Sequence, residues 1–272
     1  MKNTGIKMMA ILFTGAIGFM GCSKNENANP STTNSVTIEE KNRALVVDIT
    51  GTWCPPCGAY GIPGFTYAIE NAKDKIVPFA VHSSDPLSVT AMNAVSSLPR
   101  FKSSSVPRIV AGNGLVFSAG VYSDITATGT KIISSVDTFI ANNPVTAGIA
   151  LNNLKFDGTK VSVDVSTKFF DAQASGDYQV AVYFYENGVV SPQQKSNLPV
   201  DSTQQHNHVI RTLASATAWG EAITVSGNTD TKNYSAILNS KWNTAKMGAI
   251  AIIWKKIGTD YLYINGNLTK VE

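Results

Sequence analysis

The segment Trp53-Cys54-Pro55-Pro56-Cys57 constrains this 272-residue chain more than any other. It follows Ala44-Leu45-Val46-Val47-Asp48-Ile49-Thr50, an apolar run suited to a buried central strand. After it, Tyr60, Phe65, Ala68, Ile69 and Ala72 recur as one face of a helix running from Gly58 to about Lys75. The two cysteines therefore sit where a strand turns into a helix. A cysteine at a helix start feels the positive end of the macrodipole, which favours its thiolate. On that basis Cys54 is expected to be the exposed, attacking thiol and Cys57, one turn on, the shielded resolving thiol. Pro55 and Pro56 carry no N–H, so support for a thiolate falls to the amides of Cys57 and Gly58, on a stiff loop. With 3 Cys in all, a disulfide-dense scaffold and a four-thiolate zinc site are both excluded.

A C-x-x-C serves as a redox pair, as half a metal site or as a plain structural disulfide. Three neighbouring features bear on the choice. Trp53 precedes the pair, Asp48 lies six residues before Cys54, and Ser105-Val106-Pro107-Arg108-Ile109-Val110 is followed by Gly112-Asn113-Gly114. Together these resemble the thioredoxin family over about residues 42–143. The resemblance implies an α/β unit in the order strand, CPPC helix, strand, helix, V-P strand, strand, helix. Its remaining elements fall on Ile76–His82, Thr90–Phe101, Leu115–Ser118 and Ile125–Ala141. It further implies a cis Pro107 facing the cysteines and a substrate groove lined by Trp53, Val106 and Pro107. Asp48 would be buried, with its pKa raised by desolvation, and would accept the resolving thiol's proton. Read from the residues alone, Asp48 also fits a strand-edge carboxylate, and Pro107 a trans residue opening an edge strand. The chain departs from the family pattern at Gly58, where a Lys or Arg is usual. Pro63 is offset by one residue, and the Cys57-to-Pro107 interval is longer.

The N-terminus carries Lys2 and Lys7 and then an apolar run from Met8 to Met20, too short to span a membrane comfortably. It reads as a secretory signal over residues 1–21. The sequence Phe19-Met20-Gly21-Cys22 resembles the bacterial lipobox, in which the cysteine becomes the acylated first residue of the mature chain. Acyl chains at about 0.8 kcal/mol per buried CH2 anchor a protein without a spanning helix. Residues 22–41, rich in Ser, Asn and Thr, then read as a flexible tether. Ser23 favours sorting to the outer membrane, with either the periplasmic or the outer face possible.

From Val145 the pattern becomes alternating, in Ile149–Leu151, Val161–Val165 and Val180–Tyr185, with turn signals at Asn152-Asn153, Asp157-Gly158 and Asn187-Gly188. Ala249–Trp254 and Tyr261–Ile264 continue the series. Residues 144–272 are therefore expected to form a separate β-sandwich. His206 and His208, at i and i+2, would point the same way on a strand. They lack a third ligand, so the segment is read as ordering a loop, with no metal. The His206-Asn207-His208-Val209-Ile210-Arg211 segment, behind the lipobox and WCPPC, resembles the outer membrane protein 28-related lipoproteins of Bacteroidota. That resemblance implies an outer-membrane lipoprotein with a thioredoxin-like and an immunoglobulin-like domain.

The formal net charge of +3, with no basic run, speaks against nucleic acid as a partner. The expected function is a membrane-anchored thiol–disulfide oxidoreductase acting on protein or peptide thiols and disulfides. Its site comprises Cys54, Cys57 and Asp48, with no cofactor beyond the disulfide. The rival reading is a surface binding or adhesin-like lipoprotein in which CPPC is a structural staple.

Overall fold

The computed structural model describes residues 36–118, 124–171 and 174–270. Strand β1 (Ala44–Thr50) is buried along its whole length, as its apolar run requires. A wide helical turn (Cys57–Gly61) leads into α1 (Ile62–Ala72). The turn widens because Pro63 has no N–H to offer the preceding turn, and Ile62 N–H reaches back to Cys57 O instead. Strand β2 (Ile76–His82) runs parallel to β1, with Asp48 opposite Ala80. The helix expected over Thr90–Phe101 is broken into short turns around the single-turn α2 (Asn93–Ser96), and Pro99 begins the last of them. Strands β3 (Arg108–Ala111) and β4 (Gly114–Ser118) form a hairpin, with β3 antiparallel to β1. Helix α3 (Ile125–Asn142) is capped by Asp124, whose carboxylate accepts the Ala127 N–H at 3.0 Å. These elements come in the order expected from the sequence.

The second half does not form a body of its own, which corrects the expected boundary at 143/144. From Val36 onward the chain is one compact unit. Strands β5 (Ala147–Asp157) and β6 (Lys160–Phe169) pair with each other, and β14 (Asp230–Ile237) joins β6, giving a three-stranded sheet. The long strands β7 (Asp177–Glu186), β15 (Met247–Ile257) and β16 (Asp260–Lys270) extend the first sheet instead. The link is β12 (Val209–Leu213), which pairs antiparallel with β7 and meets β2 in parallel at Val209 and Ala80. The resulting order is β16-β15-β7-β12-β2-β1-β3-β4, with β13 (Glu221–Ile223) on β7.

Alternation along β7 and β15 explains why one sheet serves both halves. Ala181, Tyr183, Tyr185, Ile250, Ile252 and Trp254 face the core shared with β1, β2, α1 and α3. Val180, Val182, Phe184, Ala249, Ala251 and Ile253 face Val161, Val163 and Val165 of the three-stranded sheet. A sheet buried on both faces reads in sequence as a nearly continuous apolar run. Two side-chain amides, the first of them buried, sew the halves together. Asn265 Nδ2 donates to Lys41 O and Ala147 O, both at 2.8 Å, and Asn113 exchanges two hydrogen bonds with the Tyr263 backbone. Among the described residues, no helix is long and apolar enough to cross a membrane.

Candidate functional site

Cys54 and Cys57 are joined by a disulfide with their Cα atoms 5.3 Å apart. The loop that carries them is fixed at several points. Thr52 N–H donates to Asp85 Oδ2 at 2.9 Å, Trp53 Nε1 to Ser83 O at 2.8 Å, and Cys54 N–H to Gly51 O at 3.0 Å. The first helical amide aimed at sulfur is that of Cys57, whose N–H points at Cys54 Sγ from 3.2 Å. It is one of the two amides the prolines leave available.

The Val106–Pro107 peptide bond is cis. Pro107 packs on the helical turn because Gly61 has no side chain: a Cβ there would meet Pro107 Cβ at 2.9 Å. This close approach sets Val106 O 3.6 Å from Cys54 Sγ. Trp53 stays exposed beside the pair, with 48% of its surface open.

Asp48 projects from the middle of β1, between Ala80 of β2 and Ile109 of β3. It is buried, so the strand-edge alternative does not hold. Its Oδ1 has no hydrogen-bond partner among the described residues, and burial pushes its pKa up to about 7. Beside it lies a cavity of about 10 Å³ lined by Thr50, Phe65, His82, His206 and neighbouring side chains. That is close to the volume one water molecule needs.

Of the chain's 3 histidines, His82 and His206 line this cavity, and His208 stands edge to face with Phe65 of its wall at 6.4 Å. His82 Nδ1 lies 2.7 Å from Asp85 Oδ2, and the His82 and His206 rings stand edge to face at 5.1 Å. Bonding to His82 and to the Thr52 amide holds the Asp85 carboxyl below its usual range despite its desolvation. His206 Nε2 is 3.2 Å from Ser191 O, whereas His208 stacks on Tyr185 at 5.4 Å. Their spacing predicted that the two would point the same way along one strand, and they do not. A left-handed residue, His208 with φ 55°, lies between β11 (Gln205–His206) and β12 and turns the second ring elsewhere. Burial pushes both down to about 4, so they are neutral imidazoles at neutral pH.

One expectation fails outright. Cys54 is not exposed: it retains 2% of its surface, and Cys57 none. The cover is a ribbon between β7 and β12, built from β8 (Val189–Val190) paired with β11 and from β9 (Gln193–Lys195) paired with β10 (Leu198–Asp201). Gln194 N–H donates to Thr52 O at 2.9 Å and Ser196 N–H to Pro55 O at 3.1 Å. The buried Gln193 side chain donates to Cys54 O at 3.0 Å. Gly58 is what lets the ribbon down: a Cβ there would meet Gln194 O at 2.3 Å. The glycine that departs from the thioredoxin pattern is thus explained by a segment far along the chain. Sequence reasoning missed Gln193, His82 and Asp85, and Gly58 was the only local trace of the first.

The structure brings together Cys54, Cys57, Trp53, Val106 and Pro107, and it sets Asp48 on the strand beneath the helical turn. Cys22 lies outside the described residues. Comparison with known proteins agrees with this architecture. The structure is similar to HBP35 of Porphyromonas gingivalis at a TM-score of 0.68 and 15% identity, covering 86% of this chain and 77% of that one. A domain of the outer membrane lipoprotein Omp28 from the same organism covers 48% of this chain and 93% of its own, at 16% identity. Its TM-score of 0.34 is too slight to inform the fold. No curated protein matches the sequence. The family model described as outer membrane protein Omp28 matches residues 127–264, which is just over half of the chain, and the chain belongs to that family.

Proposed function

We propose that the protein is a membrane-anchored thiol–disulfide oxidoreductase, with thioredoxin-like elements over residues 42–143 and a lipid anchor at Cys22. It exchanges disulfides with protein or peptide cysteines through Cys54 and Cys57. The observation that carries this reading is Asp48. A buried carboxyl with an unpartnered oxygen costs stability, about 1–3 kcal/mol for a neutral polar group and more for a charged one. A structural staple has no use for such a group, whereas a resolving thiol needs a proton acceptor near pH 7.

In the reductive half-reaction a partner thiolate attacks Cys54 Sγ. The Cys54–Cys57 bond breaks, a mixed disulfide forms, and Cys57 leaves as a thiolate. A second partner thiolate then attacks the mixed disulfide and expels Cys54. Two electrons pass to the protein, and two partner thiols become one disulfide. Run in reverse, Cys54 attacks a partner disulfide, Asp48 accepts the Cys57 proton, and Cys57 resolves. The Cys57 N–H supports the Cys54 thiolate, and Trp53, Val106 and Pro107 bound the approach to it.

One observation favours the rival reading, a binding lipoprotein in which the disulfide is a staple: the ribbon shields Cys54. Trapping separates the two. Under exchange, the free Cys54 thiolate of Cys57→Ser attacks a disulfide-bearing protein and holds one of its sulfurs as a mixed disulfide while the other leaves as a thiol. Dithiothreitol releases the captured protein, and Cys54→Ser captures none. Equal capture by both variants, or by neither, favours the staple.

A further inference from the structure

Antiparallel neighbours such as β7 and β12 can be joined by a two-residue turn. Residues 187–208 instead form a ribbon with its own fastenings. At its base, Gly188 N–H donates to Asn207 Oδ1 at 2.8 Å and His208 N–H to Asn187 Oδ1 at 2.9 Å. At its tip, Lys195 and Asp201 pair at 2.8 Å, and Asn197 turns the chain with φ 58°. Between them, β9 lies along the redox loop through the Gln194 and Ser196 amides. The Gln193 amide nitrogen lies within reach of three carbonyls: Cys54 O at 3.0 Å, Gly51 O at 3.3 Å and Gln194 O at 2.9 Å. Cys54 keeps 2% of its surface; Trp53, its neighbour in the chain, is exposed, and Val106, whose carbonyl oxygen lies 3.6 Å from Cys54 Sγ, is half-buried. A thiol that reaches Cys54 therefore has to pass the ribbon or come in beside Trp53 and Val106.

We propose that the ribbon tip, held by Gln193 and admitted by Gly58, determines specificity at this site. It leaves Cys54 approachable along the Trp53–Val106 edge by a narrow, extended thiol-bearing peptide, and it bars the broad surface of a folded dithiol protein. The inference rests on the exchange reading and names its substrate class. The chemistry is unchanged: two thiolates are oxidised to one disulfide while Cys54–Cys57 takes up two electrons.

The test uses the full chain, oxidised, with glutathione as the extended thiol peptide and reduced thioredoxin as the folded dithiol. Gly58→Ala places a Cβ against a backbone oxygen that has to move. Gln193→Ala removes the anchoring amide without touching the backbone, and it carries the test if the first variant does not fold. Losing one or two such hydrogen bonds should raise the rate with reduced thioredoxin about tenfold or more. The rate with glutathione should change by less than about threefold. Equal acceleration with both reagents would show a cover without selectivity and overturn the inference. Unchanged rates with both, in a protein that does exchange, would remove the ribbon from the reaction and leave the exchange reading standing. If neither reagent opens the disulfide in the wild type or the variants, exchange itself fails and the inference goes with it.

Discussion

Asp48 and the two C-terminal histidines pull the pH dependence of stability in opposite directions. The Asp48 carboxyl is raised from 3.8 to about 7 by burial. The folded chain therefore holds a proton in that window that the unfolded chain has lost, and stability falls as pH rises from about 4 to about 7. Above pH 7 that term amounts to about 4 kcal/mol. Asp48→Asn should therefore be more stable than wild type at pH 8 by a few kcal/mol. The two should converge near pH 4, as read from urea midpoints across the range. His206 and His208 are lowered from 6.5 to about 4, so the unfolded chain binds the extra protons and stability rises from about pH 4 to 6.5. His206→Gln, where it retains the bond to Ser191 O, should flatten that rise by one proton's worth. Burial of Asp48 was legible only through the thioredoxin resemblance, since the residues of ALVVDIT alone also fitted a strand-edge carboxylate. His82 was not: its partner Asp85 lies in an irregular loop with no periodicity to read.

At the scale of elements, hydrophobic period was a sound guide to β1, β2 and α3, where one face or both are buried by near neighbours. It failed at Thr90–Phe101, where Pro99 and short turns replace a helix. It was also silent on β8 to β11, whose pairs are too short to show a period. Strand β9 and the Ser196 that follows it contact the CPPC loop across more than a hundred residues of sequence, and only the missing Cβ of Gly58 recorded it. The buried seam residue Asn265 gives an element-level prediction. Asn265→Ala removes the bonds to Lys41 O and Ala147 O and the one accepted from the Arg43 N–H at 3.2 Å. With those groups left buried and unpaired, a loss of about 3 kcal/mol is expected in urea unfolding.

For the whole molecule, β7 and β15 act as a partition with a core on each side. Alternation announced strands in the second half but not which sheet they join, because a strand buried on both faces fits a sandwich and a wall equally well. The single compact unit implies one cooperative transition. Thermal unfolding followed at Trp and by far-UV circular dichroism should coincide, with calorimetric and van't Hoff enthalpies equal. Two resolved transitions would restore the boundary at 143/144. A chain ended at residue 143 would bare the apolar edge beside β2 and is expected to aggregate.

The central claim is that Cys54–Cys57 is an exchanging pair and not a staple. Its equilibrium reduction potential, measured in the full chain against glutathione and dithiothreitol buffers, tests that most directly. The account predicts a value between about −270 and −120 mV, the range of known exchangers. A value well below about −300 mV, with Cys54 resisting alkylation in the folded reduced protein, would mark a structural disulfide and contradict it.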